Sequence, residues 1–164
     1  MTNARLRSIG VLLALAACSA QTAPSRVDQA AEAAVLADSE IHYRESGGFA
    51  GRVEEARLVA SGGSVTIEYR ASGLPPTTPM PSGGAMDKDE YLKLWNEAAR
   101  IGFWTLVPPK KSSGADLIES ELLLRLGSKS HQVEWNDGGT VGVGEIARLG
   151  QRIFEAARRA PVER

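Results

Sequence analysis

Acid–base and metal chemistry need convergent His, Asp, Glu or Cys side chains, and this chain of 164 residues spaces them apart. Its two histidines, His42 and His131, fall on separate strand-like stretches and lack the close helical spacing of a zinc motif. Both read as unligated histidines on a polar strand face. Glu54 and Glu55 form one acidic pair, read as a solvated strand face. Asp87, Asp89 and Glu90 form another group, at a helix start where negative charge is favourable. Ser46 precedes Gly47-Gly48, but a serine nucleophile needs a base and an oxyanion site, and no Gly-x-Ser-x-Gly elbow occurs. Gly142-Val-Gly144-Glu-Ile-Ala147 imitates a dinucleotide-binding glycine pattern. Too little chain follows it for a second strand with a ribose-binding acid. With no catalytic set legible, the expectation is a protein that is not an enzyme and uses no cofactor and no metal.

Two other features carry chemical information. Arg5 and Arg7 are followed by a short apolar run, Ile9 to Ala17, and then by Cys18, the one cysteine of the chain. The run is too short to span a bilayer as a mature helix but suits the core of a secretory signal. Its ending, Leu15-Ala16-Ala17-Cys18, resembles the lipobox of bacterial lipoproteins. The resemblance implies a signal peptide over 1–17, cleavage between Ala17 and Cys18, and lipidation of Cys18 as the new N-terminus. Cleavage leaves 17 basic against 20 acidic side chains, a mildly acidic balance that argues against a nucleic-acid partner. A single cysteine also excludes a disulfide within the mature chain.

The second feature is Ile41 to Arg52, a short alternating strand running into a turn with glycines at 47, 48 and 51 around one aromatic, Phe49. Glycines allow backbone angles that other residues avoid, so the turn is tight or unusual. Two readings of Phe49 stand at this point: it plugs the core, or it faces a partner.

The elements that position these residues follow from patterning. Residues 18–39 read as the lipidated cysteine and a flexible tether, with a weak, fluctuating helix over Ser25 to Leu36. A single domain is expected over 40–160, with a tail at 161–164. Ile41 and Tyr43 alternate with His42 and Arg44, Val53 to Ala60 forms a second strand, and Ser61-Gly62-Gly63-Ser64 turns it into a third through Val65, Ile67 and Tyr69. Residues 71–86 hold four prolines and three glycines and read as a loop, either mobile or a stiff peptide-like arm.

Asp87 caps a helix, with Glu90 as its capping-box partner and Tyr91, Leu94, Trp95, Ala98 and Ile101 on one apolar stripe. Phe103 and Trp104 read as core. Leu117 to Leu126 and His131 to Trp135 form a hairpin, and a closing helix runs from about Glu145 to Ala160, with Arg152, Arg158 and Arg159 near its C-terminus complementing the dipole. This order predicts an α+β fold, a mainly antiparallel sheet of about five strands (three-strand meander, helix, hairpin, helix), with two helices on one face.

The stretch Tyr43-Arg-Glu-Ser-Gly-Gly-Phe-Ala-Gly51 is similar to the opening of the emfourin family, small bacterial inhibitors of thermolysin-like metalloproteases. The likeness continues through Ala98-Ala99-Arg100-Ile101-Gly102-Phe103-Trp104-Thr105-Leu106, the paired strands from Leu117 to Trp135 and the closing helix. It covers most of 41–160; the strand Gly63–Arg70, the loop 71–86 and the lipoprotein signal depart from it. The resemblance implies a partner-binding segment made of Ser46, Gly47, Gly48, Phe49, Ala50 and Gly51, with a metalloprotease as partner. The expected function is a membrane-anchored envelope lipoprotein that binds and inhibits such a protease. The alternative is a non-inhibitory envelope binding or scaffold lipoprotein whose arm 71–86 or polar sheet face contacts another protein or cell-wall material. Ser19 after the cysteine points to the periplasmic side of the outer membrane.

Overall fold

A computed structural model describes residues 26–48, 51–73, 83–114, 116–137 and 143–160. In chain order the elements are α1 (Arg26–Ala37), β1 (Asp38–Gly47), β2 (Arg52–Ser61), β3 (Ser64–Ser72), β4 (Gly83–Ala85), α2 (Lys88–Arg100), a 3-10 turn (Phe103–Thr105), β5 (Ile118–Leu126), β6 (Lys129–Asn136) and α3 (Gly144–Arg159). The strands form one six-stranded antiparallel sheet in the order β4-β3-β2-β1-β5-β6. The α+β class and the mainly antiparallel sheet stand as expected. The sheet has six strands rather than five, and three helices rather than two supply buried residues to one core on one of its faces.

The period-two alternation sets which side chains enter that core. Ile41 lies opposite Leu58 and Leu124, and Tyr43 lies opposite Ala56 and Leu122, all buried. The opposite face carries Glu40, His42, Arg44, Arg57, Glu68 and Arg125, half-exposed or exposed. Arg57 Nε sits 2.7 Å from Glu40, and Arg125 Nε lies 3.4 Å from the same carboxylate. The guanidinium of Arg57, aided by that of Arg125, holds the Glu40 carboxyl below its ordinary range despite partial burial.

Several elements depart from the sequence reading. The segment expected as a tether holds α1, a 12-residue helix with Val35 buried at 6 % exposure. Its end is capped by a distant turn: Gly62 N–H donates to Ala37 O at 3.1 Å and Gly63 N–H to Leu36 O at 3.0 Å. Those carbonyls have no partner within the helix, so the β2–β3 turn satisfies them. The stretch read as a loop over 71–86 contains the end of β3 and the edge strand β4, paired with Thr66 to Glu68. A three-residue strand with two glycines is tolerated there because an edge pairs on one side only.

Asp87 caps α2 by accepting from the amides of Asp89 and Glu90. The Glu90 carboxylate does not close a capping box; it takes Arg159 of α3 at 2.8 Å. Glu54 is the main correction. It is fully buried, not solvated, and receives Arg52, Arg158 and the Tyr69 hydroxyl, while its neighbour Glu55 faces outward beside His42. Arg158 and Arg159 are therefore ion-pair partners rather than only dipole complements. His131 is likewise on the core side, opposite Leu124, with Nε2 3.0 Å from Leu106 O and its ring against Phe103. Phe103 is core, whereas Trp104 is half-buried under Lys129.

Candidate functional site

The segment singled out by sequence is the β1–β2 connection. Gly47 pairs with Arg52, which leaves a four-residue link, 48–51, closed by Gly51 N–H donating to Gly48 O at 3.1 Å. Gly47, Gly48 and Gly51 have φ of 119°, 70° and 57°, angles that strain any residue with a side chain. At Gly47 there is a second reason for glycine. A Cβ there would lie 2.4 Å from Leu117 O, so β1 reaches the tip pressed against the backbone leading into β5. Ser46 lies on the polar sheet face and, with Gly47, lines a shallow cleft of about 500 Å³ beside Ser112, Leu117, Glu119 and Asn136. Phe49 and Ala50 lie outside the described residues, as do Ala17 and Cys18.

The structure adds residues that the sequence reading passed over. Asn136 is buried and grips Ser112 from both sides of its amide: Nδ2 donates to Ser112 O at 2.7 Å, and Oδ1 accepts from Ser112 N at 3.1 Å. Asp137 accepts from Ile118 N at 3.2 Å, and Lys111 Nζ meets Glu134 at 2.8 Å. The hydrogen bond from Lys111 lowers the Glu134 pKa and raises its own. These contacts hold Lys111, Ser112 and Ile118 against the end of β6. The Asn-Asp pair was the one local signal, since such residues hydrogen-bond nearby backbone readily.

On the other face of the same end, Tyr43 is packed against Phe154 (4.6 Å between ring centroids) and Trp135 (6.0 Å). Gly150 permits this approach: a Cβ on it would sit 2.3 Å from the Tyr43 ring. The Tyr43 hydroxyl donates to Glu45, which also accepts from Gln151 Nε2 at 2.8 Å. Burial, then the Glu45 carboxylate, push the Tyr43 pKa upward, so the phenol stays a donor.

The histidines stay apart: His42 pairs with Glu55 at 2.8 Å, and His131 is held at the other side of the sheet. Among the described residues no three His, Cys, Asp or Glu side chains converge on a metal position. No helix among them is long and apolar enough to cross a membrane. Fold and site together define a class: an antiparallel α+β domain with a glycine-braced hairpin at one end of its central strand. No family model, curated protein or solved structure matches the chain.

Proposed function

We propose that this chain is an envelope lipoprotein, anchored through Cys18 on the periplasmic side of the outer membrane, that binds and inhibits a thermolysin-like metalloprotease with the hairpin tip Ser46 to Gly51. One observation carries the reading. Helix α1 joins β1 at Asp38 and the hairpin link follows its last residue, Gly47, so chain entry and hairpin link stand at opposite ends of a ten-residue strand. At roughly 3.4 Å per residue that is about 30 Å of separation. A link set apart from the chain's entry and braced at Gly47 suits presentation of one apolar anchor, Phe49, to the protease site for bulky apolar side chains that the family resemblance implies.

The test is titration of the full chain in detergent against a thermolysin-like protease, beside Phe49→Ala. Inhibition by the parent, weakened roughly thirtyfold or more in the variant as for an interface anchor, is the expected result. No inhibition at about 100 μM, far weaker than a working inhibitor, rejects the reading. Equal inhibition by both keeps the function and moves the contact off Phe49. For the anchor, Cys18→Ala is expected to leave the membrane fraction.

The uncovered sheet face favours a second reading, an envelope scaffold that recognises a partner of matching charge without inhibiting anything. Its Arg125, Glu40, Arg57 and Glu68 form an interlaced row across four strands.

A further inference from the structure

A second cleft, of about 380 Å³, opens on the helix side of the hairpin end and is of a size that suits a small ligand. Trp135, Ala147 and Ile118 supply its apolar part. Ile118 is one of two large apolar side chains exposed among the described residues. Its charged groups are Glu45, Asp137 and Arg52, which arrive from three separate segments, beside the neutral polar side chains of Ser120, Asn136 and Gln151.

None of these three groups is fully answered within the described residues. Glu45 is held by two neutral donors, Tyr43 and Gln151, and pairs with no cation there. Asp137 has only the Ile118 amide. Arg52 places Nη2 on Glu54, but its Nε–H is buried with no hydrogen-bond partner among the described residues. The Arg52 side chain as a whole is 39 % exposed, so its other guanidinium N–H groups remain open to an acceptor in the cleft.

A ligand for this cleft must answer two carboxylates and one N–H donor around an apolar floor. A simple carboxylate would face Glu45 and Asp137 uncompensated. An uncharged apolar molecule would desolvate all three polar groups and return nothing to them. We propose that the cleft binds an apolar residue bearing a free α-amino group. The ammonium meets Glu45 and Asp137, the adjacent carbonyl or carboxylate oxygen accepts from Arg52, and the side chain lies against Trp135, Ile118 and Ala147. A free apolar amino acid and the N-terminal residue of a peptide share this chemistry. The assignment is independent of what the hairpin tip touches.

The full chain in detergent is titrated with leucine, leucyl-glycine and N-acetyl-leucyl-glycine, followed by amide NMR shifts. Leucine, leucyl-glycine or both are expected to shift the amides of Ile118, Trp135 and Ala147 saturably, and the tighter of the two names the source. The acetylated dipeptide, which lacks the charge, is expected to bind at least roughly tenfold more weakly. Glu45→Gln, which keeps an acceptor for Tyr43 but drops the charge, should weaken binding by a similar factor. Ala147→Phe, which fills the cleft from a half-exposed helix position, should abolish it. Three results overturn the proposal: no shift with any probe at about 10 mM, beyond even weak specific binding; equal affinity for the acetylated dipeptide; or unchanged affinity in Glu45→Gln.

Discussion

The two ends of the central strand are built in different ways. At the Asp38 end, the backbone closes on itself: the α1 carbonyls accept from Gly62 and Gly63, and Gly127 N–H donates to Asp38 O at 3.0 Å. Ser39 and Tyr91 then join strand to α2 through a buried 2.7 Å hydrogen bond. At the Gly47 end, the strand is braced by a close approach to Leu117 and by side-chain clamps from Asn136 and Asp137. Backbone closure confines the cleft at that end, of about 350 Å³, to the gap between α1 and α2, while side-chain bracing leaves clefts on both faces of the sheet. The contrast teaches that the N-terminal end is made to hold and the hairpin end is made to present. Loops positioned by a scaffold commonly carry binding roles, and this scaffold is closed by backbone hydrogen bonds at the end where binding is not expected.

Breaking the hairpin end should have the largest effect. Gly47→Ala combines a φ of 119° with a Cβ driven against a backbone carbonyl that has no side-chain freedom to move away. A loss of about 2–3 kcal/mol is expected from denaturant midpoints. Hydrogen exchange should show lost protection around Glu45 and Ile118 with α1 unchanged. Equal loss in α1 would mean that the ends behave as one unit and that the contrast has no energetic content.

Tyr91→Phe probes the other end more gently. It removes the buried bond to Ser39, whose hydroxyl keeps Val35 O as partner. About 1 kcal/mol is expected, with faster amide exchange confined to α1. Burial pushes the Tyr91 phenol up to about 12, so it remains a donor through the physiological range and this effect should not vary with pH there.

The smallest effect sharpens the comparison through pH. The Glu40 carboxyl, held down by Arg57 and Arg125, lies below its ordinary value of 4.5. A folded-state pKa below the unfolded one contributes stability that is fully present above pH 4.5 and is lost as pH falls through the lowered value. Glu40→Gln should therefore flatten the acid side of the stability curve and change little at neutral pH. An unaltered acid slope in the variant would show that this network does not stabilise the Asp38 end.

Much of the fold was legible because its strands alternate strictly. Ile41 and Tyr43, and Val65, Ile67 and Tyr69, fall on one face by period alone, and that face is the buried one. The α2 stripe, its Asp87 cap and the glycine hairpin were legible for the same local reason. Helix α1 was placed within a residue but read as fluctuating within a tether, because it offers few large apolar residues and its end is satisfied by amides some 25 residues downstream. The hairpin-end cleft had no signature at all, since its polar groups come from β1, β2 and the end of β6.

Local pattern was therefore enough to establish the class of fold, the order of its main elements and the glycine-bearing turn, because each depends on neighbours within a few residues. The fate of individual polar groups was decided only by tertiary structure. Alternation puts Glu54 on the face of Ala56 and Leu58 and Glu55 on the other, but only α3, bringing Arg158 over β2, makes Glu54 a buried ion-pair partner, while Glu55 pairs with His42 on the open face. The same holds for Glu45, Asp137 and Arg52. Their charges are visible in the chain, but their convergence around one apolar floor exists only once the sheet has set the register of β1, β2, β5 and β6.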